Sequence, residues 1–432
     1  MGDEFRRHPF IFISASLIGS SLEWYDFLLS STAASLIWPK VFFPTQTPII
    51  GLLLSVTAFG VGIMSRPLGA LLFGNIADTR GRANSLIYTL LTMGLGTLGI
   101  ALTPSYQVIG IGGGILLFVF RFLQGIGLGG EYGSVNTWIA EHANKSKFRG
   151  LMTGFSQFGV PIGLIASSLS FTIIESSTSA SYLLSIGWRI PFLIGFVAAI
   201  IGAIIRHRIS ESPVFREMER KREVVRYPFA LVFKEQLKLI LLITGSALGL
   251  FSTFYLELFS QSLIVSTGLS ASFATLTVLL AGGLALILNA VLLTISDYKG
   301  RRKVILAGAL WDIIWSIPFF YLVTSKNPFL VAIAMLLFLP ITNSAIFAVG
   351  TVYYLELFPA KYRASGMSIS YQLAGIFGGA LAPIFASLII SSLGGALNSI
   401  LYLGIMNLVY ALISLICFIL MRRETKGIDL NY

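Results

Sequence analysis

The stretch Gly74-Asn-Ile-Ala-Asp78-Thr-Arg80-Gly81-Arg82 decides the fold, because it returns later in the chain in altered form. The second copy reads Thr294-Ile-Ser-Asp297-Tyr-Lys299-Gly300-Arg301-Arg302-Lys303. Each copy follows an apolar run of helix length and combines an aspartate with a glycine and basic residues. The two aspartates lie 219 positions apart, and half of the 432-residue chain is 216. This spacing indicates a duplicated unit.

A second loop pattern recurs at nearly the same distance. Glu141 is followed by Arg149, Glu356 is followed by Arg363, and the two glutamates lie 215 positions apart. Two unrelated patterns that repeat at half the length predict two similar halves. Such halves are typical of secondary transporters that rock around a binding site near the middle of the membrane.

The composition excludes an ordinary soluble protein. Hydrophobic residues make up 55% of the chain and charged residues 11%, whereas soluble domains contain about 25% charged residues. The charges lie in short groups between apolar runs that match the roughly 30 Å hydrocarbon core of a bilayer. A nucleic-acid-binding protein would instead concentrate its basic residues on one face. The single cysteine, Cys417, excludes a disulfide framework and a cysteine metal site.

Twelve apolar segments are long enough to cross a membrane as helices, and they are too long for the alternating strands of a β-barrel. They are residues 10–37, 48–73, 84–104, 110–138, 151–174, 187–205, 238–265, 272–296, 304–324, 328–354, 365–392 and 395–421. The predicted fold class is therefore an all-α membrane protein with twelve transmembrane helices. Its predicted parts are a six-helix bundle (1–205), a central loop (206–237) and a second six-helix bundle with a tail (238–432).

The basic residues predict how the chain is oriented in the membrane. Of 30 Lys and Arg residues, 25 fall on the side of the two termini, three fall on the opposite side and two lie inside helices. By the positive-inside rule, both termini are cytoplasmic in a multi-pass protein of the cell membrane. The net charge of +11 is thus mostly a signal of topology and does not indicate a nucleic-acid partner.

Short motifs that run in order along nearly the whole chain carry a resemblance to a known family. They are Leu22-Glu-Trp-Tyr-Asp-Phe27, Ser65-Arg-Pro-Leu-Gly69, the Asp78 loop, Arg121-Phe-Leu-Gln-Gly125, Gly129-Gly-Glu-Tyr-Gly133, Gly187-Trp-Arg-Ile-Pro191, Glu211-Ser-Pro213, Glu356-Leu-Phe-Pro359 and Glu424-Thr-Lys-Gly427. The sequence resembles the major facilitator superfamily. Within it, the sequence is most similar to the metabolite:proton symporters, the relatives of α-ketoglutarate, citrate, shikimate and proline/betaine permeases.

The resemblance implies two pseudo-symmetric six-helix bundles, the major facilitator fold, around a central cavity. It also implies that the helix 1 aspartate, Asp26, and the helix 4 arginine, Arg121, face that cavity and take part in proton coupling. The sequence departs from the family at Ala83 and Asn84, where basic residues are common, and at Glu257, where uncharged polar residues are more frequent.

Ionisable residues inside apolar helices are functional candidates, because burying them in a bilayer is costly. Glu23 and Asp26 share one helix face and need a cation, for which Arg121 is the natural partner. We expect Asp26 to be the protonation site, paired with Arg121 when ionised; the alternative is a static bridge between helices. Glu131 is either a second proton site or a packing carboxylate, and Asp312 is expected to be part of a structural pair.

A small organic substrate would be recognised by polar and aromatic groups of the cavity. Arg66 attracts a carboxylate or, alternatively, bridges within the bundle. The predicted substrate-binding residues are Trp24, Tyr25, Arg66, Gln157, Tyr255, Glu257, Gln261 and Gln372.

The repeated loops predict a cytoplasmic gate. An aspartate at a helix end can accept backbone N–H groups from a neighbouring helix and pair with loop arginines. Plain anchoring by positive charge would explain the basic residues but not the aspartates. The predicted gate residues are Asp78, Arg82, Glu141, Arg149, Asp297, Arg301, Glu356 and Arg363.

The remaining function classes fit less well. No nucleophile elbow, HExxH motif or P-loop occurs in the sequence, so we expect no enzyme, no cofactor and no metal, with the proton as coupling ion. A channel does not explain the repeated gate motifs. The expected function is proton symport of a carboxylate or zwitterion by a monomer whose partners are the substrate, the proton and the bilayer; a sugar or polyol symporter and a facilitative uniporter are alternatives.

Overall fold

The computed structural model describes residues 9–44, 48–395 and 397–431, and this part of the chain is helical without a strand. The principal helices are α1 (Pro9–Leu36), α2 (Pro48–Met64), α3 (Arg66–Arg80), α4 (Arg82–Leu102), α5 (Gly112–His142), α6 (Gly159–Ser177), α7 (Arg189–His207), α8 (Pro213–Lys221), α9 (Pro228–Ser246), α10 (Leu248–Ser266), α11 (Ala271–Lys299), α12 (Arg301–Trp315), α13 (Pro318–Val323), α14 (Pro328–Thr342), α15 (Val349–Glu356), α16 (Arg363–Ala374), α17 (Leu381–Ser392) and α18 (Ile400–Leu420).

All twelve predicted segments are helical, although several are interrupted. The predicted segment 304–324 is divided into α12 and α13, because Pro318 starts a new helix and lacks the N–H that would continue the old one. The segment predicted at 238–265 begins earlier, with α9, and continues as α10. Within the described residues, nine helical segments are long and apolar enough to cross a membrane.

The repeated loops form the same turn in both halves of the chain. Gly81 separates α3 from α4 with φ 103° and ψ 150°, and Gly300 separates α11 from α12 with φ 102° and ψ 147°. Only glycine adopts this backbone region without strain. The glycines of the motif therefore allow two long helices to follow each other with a single residue between them.

Helix α6 illustrates how the apolar sequence is arranged around the polar interior. Ile162, Ile165, Leu169 and Ile173 recur on one face of the helix and are 43–57% exposed. A soluble protein rarely leaves such a contiguous apolar surface in water. The buried positions of the same helix are the small or aromatic residues Gly159, Gly163, Ser167 and Phe171. The exposed face is suited to lipid.

The chain forms two compact units, and each takes one segment from the other half of the sequence. The first unit contains residues 1–142, 155–229 and 360–369; the second contains 143–154, 230–359 and 370–432. In the first unit, α4, α5 and α7 pack side by side, and α1 packs on α6. Its cores include Trp38, Trp188 and Phe192.

The second unit has its largest apolar core around Phe319, Phe338 and Leu403. Helix α12 packs against α18, and α11 packs against α14. The segment 143–154 contributes the start of a helix, Arg149–Thr153, which contacts α11.

Close approach of α4 and α5 positions the polar interior of the first unit. A Cβ atom on Gly96 would lie 2.7 Å from the backbone nitrogen of Gln124, closer than any side chain tolerates. Glycine at position 96 therefore lets the two backbones touch. As a result, Thr97 on α4 and Gln124 on α5 come within hydrogen-bond distance.

Candidate functional site

Six ionisable side chains lie in the apolar interior of the first unit. Their exposed fractions are 6% for Glu23, 2% for Asp26 and Glu131, 1% for Arg121 and Arg206, and 12% for the Arg66 side chain. They belong to four helices: α1, the start of α3, α5 and the last turn of α7. Charges buried to this degree need partners, and the partners define the chemistry of the region.

Asp26 and Arg121 are joined through two uncharged side chains. The Thr97 hydroxyl donates to Asp26 Oδ2 at 2.7 Å, and Gln124 Nε2 donates to Thr97 Oγ1 at 2.8 Å. Arg121 Nη1 in turn donates to Gln124 Oε1. The result is a continuous hydrogen-bonded chain, Arg121–Gln124–Thr97–Asp26, hereafter the Asp26 relay.

The direct Asp26–Arg121 ion pair predicted from the sequence is not formed among the described residues. The guanidinium of Arg121 also donates to Ser30 Oγ and to the Phe59 carbonyl, both at 3.0 Å. These acceptors hold it away from the carboxylate, and Asp26 Oδ1 has no hydrogen-bond partner in the described part of the chain. The sequence motif contained the missing link, since Gln124 stands three positions after Arg121, on the same helix face.

The second carboxylate of helix α1 pairs with another arginine. Glu23 Oε1 lies 3.6 Å from Arg66 Nη1, so the two acids on the shared face do not depend on one cation. The Arg66 guanidinium lies 5.3 Å from the centre of the Phe27 ring, and Trp24 lies 5.8 Å from the same ring. Arg66 thus acts as a bridge and also lies beside the Phe27 ring.

Two phenylalanines connect the two arginine sites. The rings of Phe27 and Phe59 are 5.2 Å apart, and the Arg121 guanidinium lies 5.1 Å from the Phe59 ring. An arginine over an aromatic face is stabilised by the ring quadrupole and keeps donors for other acceptors. Neither phenylalanine stands out in the sequence, because aromatic residues in apolar helices are usually packing residues.

Glu131 forms an ion pair with Arg206, the first residue of the predicted central loop. Its Oε1 lies 2.5 Å from Arg206 Nη2, and its Oε2 accepts from Arg206 Nη1 and from Thr89 Oγ1, both at 2.8 Å. Arg206 belongs to the last turn of α7. A basic residue directly after an apolar run can turn inward as well as outward, so sequence spacing alone did not reveal this pair.

The remaining substrate-binding predictions fall in different environments. The Tyr25 hydroxyl donates to the Pro191 carbonyl at 2.7 Å, and the Gln157 amide donates to Ser156 Oγ at 3.0 Å. In the second unit, Gln372 is buried and Gln261 is exposed. The side chains of Tyr255 and Glu257 lie outside the described residues.

The predicted gate residues of the first unit form one buried cluster. Asp78 accepts the backbone N–H groups of Ala364 and Ser365, at 3.3 and 2.8 Å, at the start of α16. Arg82 lies 3.2 Å from the carboxylates of both Asp78 and Glu141.

Arg363 completes this cluster with a distance of 2.8 Å to Glu141, from which it is 222 positions away in sequence. The Ser212 hydroxyl also donates to Glu141. The first network thus ties segment 360–369 to the rest of the first unit.

The second unit contains the matching cluster. Asp297 accepts the N–H groups of Gly150 and Leu151 at 2.8 and 3.0 Å, and it lies 2.6 Å from Arg301. Glu356 lies 2.7 Å from Arg149 and 3.5 Å from Arg301. All eight predicted gate residues therefore lie in two equivalent networks, in which an aspartate caps a helix N-terminus as the sequence suggested.

Each network has a further acid that the sequence reasoning did not assign. Glu211 accepts the N–H groups of Arg82 and Ala83, at 2.9 and 3.0 Å, and burial raises the pKa of its carboxyl. Glu424 likewise accepts those of Arg301 and Arg302, at 2.9 and 3.2 Å. These glutamates are 213 positions apart. They are a third pair of acids that recurs at about half the chain length, and this spacing identifies them in the sequence.

The helical fold, the repeated networks and the buried charges together define a membrane transporter, not an enzyme. The family described as "Sugar (and other) transporter" matches residues 12–227 and 229–432, and the chain belongs to this family of major facilitator transporters.

Curated relatives agree. The chain is 33% identical over 409 residues to the inner membrane metabolite transport protein YhjE of Escherichia coli, covering 91% of this chain and 90% of the relative. It is 32% identical over 423 residues to the shikimate transporter (95% and 94% covered) and 30% identical over 430 residues to the proline/betaine transporter (96% and 84% covered), both of the same species. The predicted superfamily is therefore confirmed.

The fold is also found among solved structures. The proton:xylose symporter XylE superposes with a TM-score of 0.78 at 19% identity, covering 99% of this chain and 98% of the symporter. At this identity the likeness concerns the fold alone.

Proposed function

We propose that the protein is a proton-coupled symporter of a small organic metabolite, a carboxylate or a zwitterion, that works by alternating access. The observation that carries the proposal is the Asp26 relay, which connects a buried carboxylate to a buried guanidinium through two hydroxyl or amide groups. A proton that binds Asp26 changes the charge at one end of this chain, and Arg121 at the other end responds to it.

The relay gives the proton a specific effect on Arg121. When Asp26 is ionised, its charge attracts the guanidinium through the bonds of Thr97 and Gln124 in a medium of low dielectric. When Asp26 is protonated, that attraction is lost and its O–H competes for Thr97 Oγ1. Arg121 then carries a net positive charge that an anionic group of the substrate can neutralise.

The two arginines favour a substrate with a carboxylate. Guanidinium groups bind carboxylates in a bidentate manner, and Arg66 and Arg121 both have an aromatic ring within 5.3 Å. The proposed substrate-binding groups are Trp24, Tyr25, Arg66, Gln157, Tyr255, Glu257, Gln261 and Gln372; the proposed coupling residues are Asp26, Glu23, Arg121 and Glu131. The shikimate and proline/betaine transporters named above carry a carboxylate or a zwitterion by name.

The loop networks are proposed to act as the gate. A helix N-terminus capped by Asp78 or Asp297 is released when the carboxylate loses its N–H donors, so opening exchanges these bonds for water. In this proposal both termini and the networks are cytoplasmic, the two bundles comprise residues 1–205 and 238–432 joined by loop 206–237, and the protein works as a monomer in the cell membrane with the proton as its only coupling ion.

Uptake into proteoliposomes tests the proposal. With an imposed inward proton gradient, a panel of monocarboxylates, dicarboxylates, betaines and sugars should yield accumulation of one carboxylate or zwitterion, and a protonophore should abolish it. Asp26→Asn should abolish accumulation but retain exchange of substrate across the membrane. Glu175→Gln, an exposed acid at the end of α6, is the matched control.

Other outcomes select other functions. Accumulation of sugars or polyols would favour the sugar symporter, the second candidate, which the family description supports. Equilibration without accumulation, insensitive to a protonophore, would identify a uniporter. Proton-driven accumulation that survives Asp26→Asn would refute the role of Asp26.

A further inference from the structure

The second unit contains a buried acid with no charged partner in the described part of the chain. Asp312, on α12, has an exposed fraction of 0%. Among the described residues, its carboxylate accepts one hydrogen bond, from Asn407 Nδ2 on α18 to Asp312 Oδ1 at 3.2 Å, and the Ser316 hydroxyl donates to its backbone carbonyl at 2.7 Å. The sequence predicted a structural pair here, and the partner is an amide.

Two oxygens of this cluster lack a donor. Asp312 Oδ2 and Asn407 Oδ1 are both buried and have no hydrogen-bond partner within the described residues. Asn407 Nδ2 is already shared between Asp312 and Ser316 Oγ, the latter at 2.9 Å. Two unsatisfied acceptors on one pair of side chains indicate that this cluster lacks a proton or a positive charge.

Within the described residues, no basic side chain of the neighbouring helices forms an ion pair or a hydrogen bond with Asp312. The titratable or charged groups on α12 and on the described parts of the elements packed against it are Asp297, Tyr298, Lys299, Arg301, Arg302, Lys303, Tyr321, Tyr353, Tyr354, Glu356, Tyr402, Tyr410 and Cys417. Helix α14 and residues 343–348 contain none. Lys303 is nine positions before Asp312, which is roughly 13 Å along the helix.

The groups nearest in sequence or fold are bonded elsewhere. Asp297 pairs with Arg301, and the Ser246 hydroxyl donates to the Tyr354 hydroxyl at 3.0 Å. Asp312 Oδ2 faces the backbone of α10, where a Cβ on Gly249 would lie 3.2 Å from it. Close to the same point, Ser414 donates its proton to the Ser246 carbonyl and so does not offer it to Asp312.

We propose that Asp312 carries a proton in this structure and that Asp312, Asn407 and Ser316 form a second protonation site, separate from Asp26. An isolated carboxylate in a medium of low dielectric becomes neutral by binding a proton. A proton on Oδ2 supplies the missing donor, and Asn407 Oδ1 is the matching acceptor. The carboxylic acid and the carboxamide then satisfy each other with one N–H···O and one O–H···O bond.

The position of the site suits exchange of the proton. Helix α12 ends three residues later, and Ser316, which accepts from Asn407, lies in the interruption before α13. A change at this interruption alters both the Asn407–Ser316 bond and the surroundings of Asp312. The role of this proton in transport rests on the proposed proton coupling. The presence of the proton on Asp312 does not depend on that proposal.

Infrared spectroscopy of the protein in lipid vesicles tests the presence directly. The wild type should have a carbonyl stretching band of a protonated carboxyl group that shifts in D₂O and declines as the pH is raised. Asp312→Asn should lack this band, whereas Asp26→Asn and the control Glu175→Gln should retain it.

Each other outcome overturns the proposal. If Asp312→Asn has the same spectrum as the wild type, Asp312 is ionised. If the band is lost but does not change with pH in the wild type, Asp312 is a fixed neutral acid and not a protonation site. Should Asp312→Asn not fold, Asn407→Ala serves instead: loss of its N–H donor should move the band to higher frequency, and an unmoved band would refute the pairing.

The infrared result and the transport result are independent. Absence of proton-driven uptake in the wild type would refute the proposed function. The infrared band of Asp312 could still be measured, and it would test the protonation site on its own. If both hold, Asp312→Asn should reduce the number of protons moved per substrate, measured from the reversal potential, while Asp26→Asn abolishes coupling.

Discussion

The two units are alike at one end of their helices and different in their interiors. Both contain a network in which an aspartate caps a helix N-terminus and a glutamate joins two arginines, and corresponding distances differ by at most 0.6 Å. Apart from these networks, only the first unit has a chain of buried charges among the described residues, while the second has the uncharged surroundings of Asp312. Duplication has thus kept the loop networks and specialised one interior.

This difference separates two tasks. In the proposed mechanism both networks lie on the cytoplasmic side and open together, so they should have similar stability. Proton coupling requires a charge that changes, and one unit suffices for that. If the two networks differ in energy, they are not equivalent; the acids of the two interiors, in contrast, should respond differently to substitution.

The largest effect is expected from the glutamates that join two arginines. Glu141→Ala leaves Arg82 and Arg363 buried without their shared carboxylate and should lower the free energy of unfolding by about 3–5 kcal/mol. Glu356→Ala should do the same in the second unit, because Glu356 also contacts two arginines. Denaturant unfolding in detergent measures both. Unequal losses, with only one variant destabilised, would mean that the two networks are not equivalent.

The next effect concerns the buried pair of Glu131 and Arg206. Arg206→Met leaves the buried Glu131 carboxylate without its cation, and the free energy of unfolding should fall by an amount near the lower end of about 3–5 kcal/mol. The double variant that also carries Glu131→Gln should recover most of this loss. Asp312→Asn should be nearly neutral by the same measurement, since no described cation pairs with it. A double variant as unstable as Arg206→Met alone would show that Glu131 is not charged.

Much of this arrangement was predictable from the sequence, and the reason is its repetition. Asp78 and Asp297 could be matched because they follow apolar helices at half-chain spacing, and their capping role follows from helix-end chemistry. The exchange of segments 143–154 and 360–369 between units was not predictable, since it depends on packing between residues far apart in the chain.

The interior was predicted less well than the loops. Buried charges were visible as interruptions of apolar runs, which led to Asp26 and Arg121. Thr97, Gln124 and Phe59 determine how those charges connect, but they are uncharged and do not stand out as charged interruptions of an apolar run. Only Gln124 has a signal in the sequence, its position three residues after Arg121. Arg206 gave a signal that pointed to a loop, because positive charge at a helix end usually faces solvent.

A smaller effect should follow from breaking the relay without removing a charge. Thr97→Val has nearly the same shape but lacks the donor to Asp26 and the acceptor for Gln124, so stability should fall by about 1–3 kcal/mol. The pH profile of uptake should also move, because Asp26 loses the bond that favours its ionised form. Thr57→Val, whose hydroxyl bonds its own helix, is the control. An unchanged pH profile would contradict the relay.

Loss of one capping charge should have a still smaller effect on stability. Asp78→Asn can still accept an N–H group but loses its charge beside Arg82 and the helix terminus, which is worth about 1 kcal/mol. Asp297→Asn should be equivalent. Both should change the rate of uptake, since the gate opens more readily. Unchanged uptake in both variants, with the expected loss of stability, would assign the aspartates to folding alone.

The smallest effect is a pH dependence at Glu211. Burial raises the pKa of this carboxyl above its ordinary value of 4.5, so it ionises less readily in the folded chain than in the unfolded one. The wild type therefore loses stability relative to Glu211→Gln as the pH rises from about the ordinary pKa of this carboxyl through its raised pKa. The difference in Tm, variant minus wild type, should become more positive over that window. A difference that becomes more negative would mean that the bonds from Arg82 and Ala83 outweigh desolvation. Glu424→Gln, measured alongside, then tells whether the two capping glutamates titrate alike.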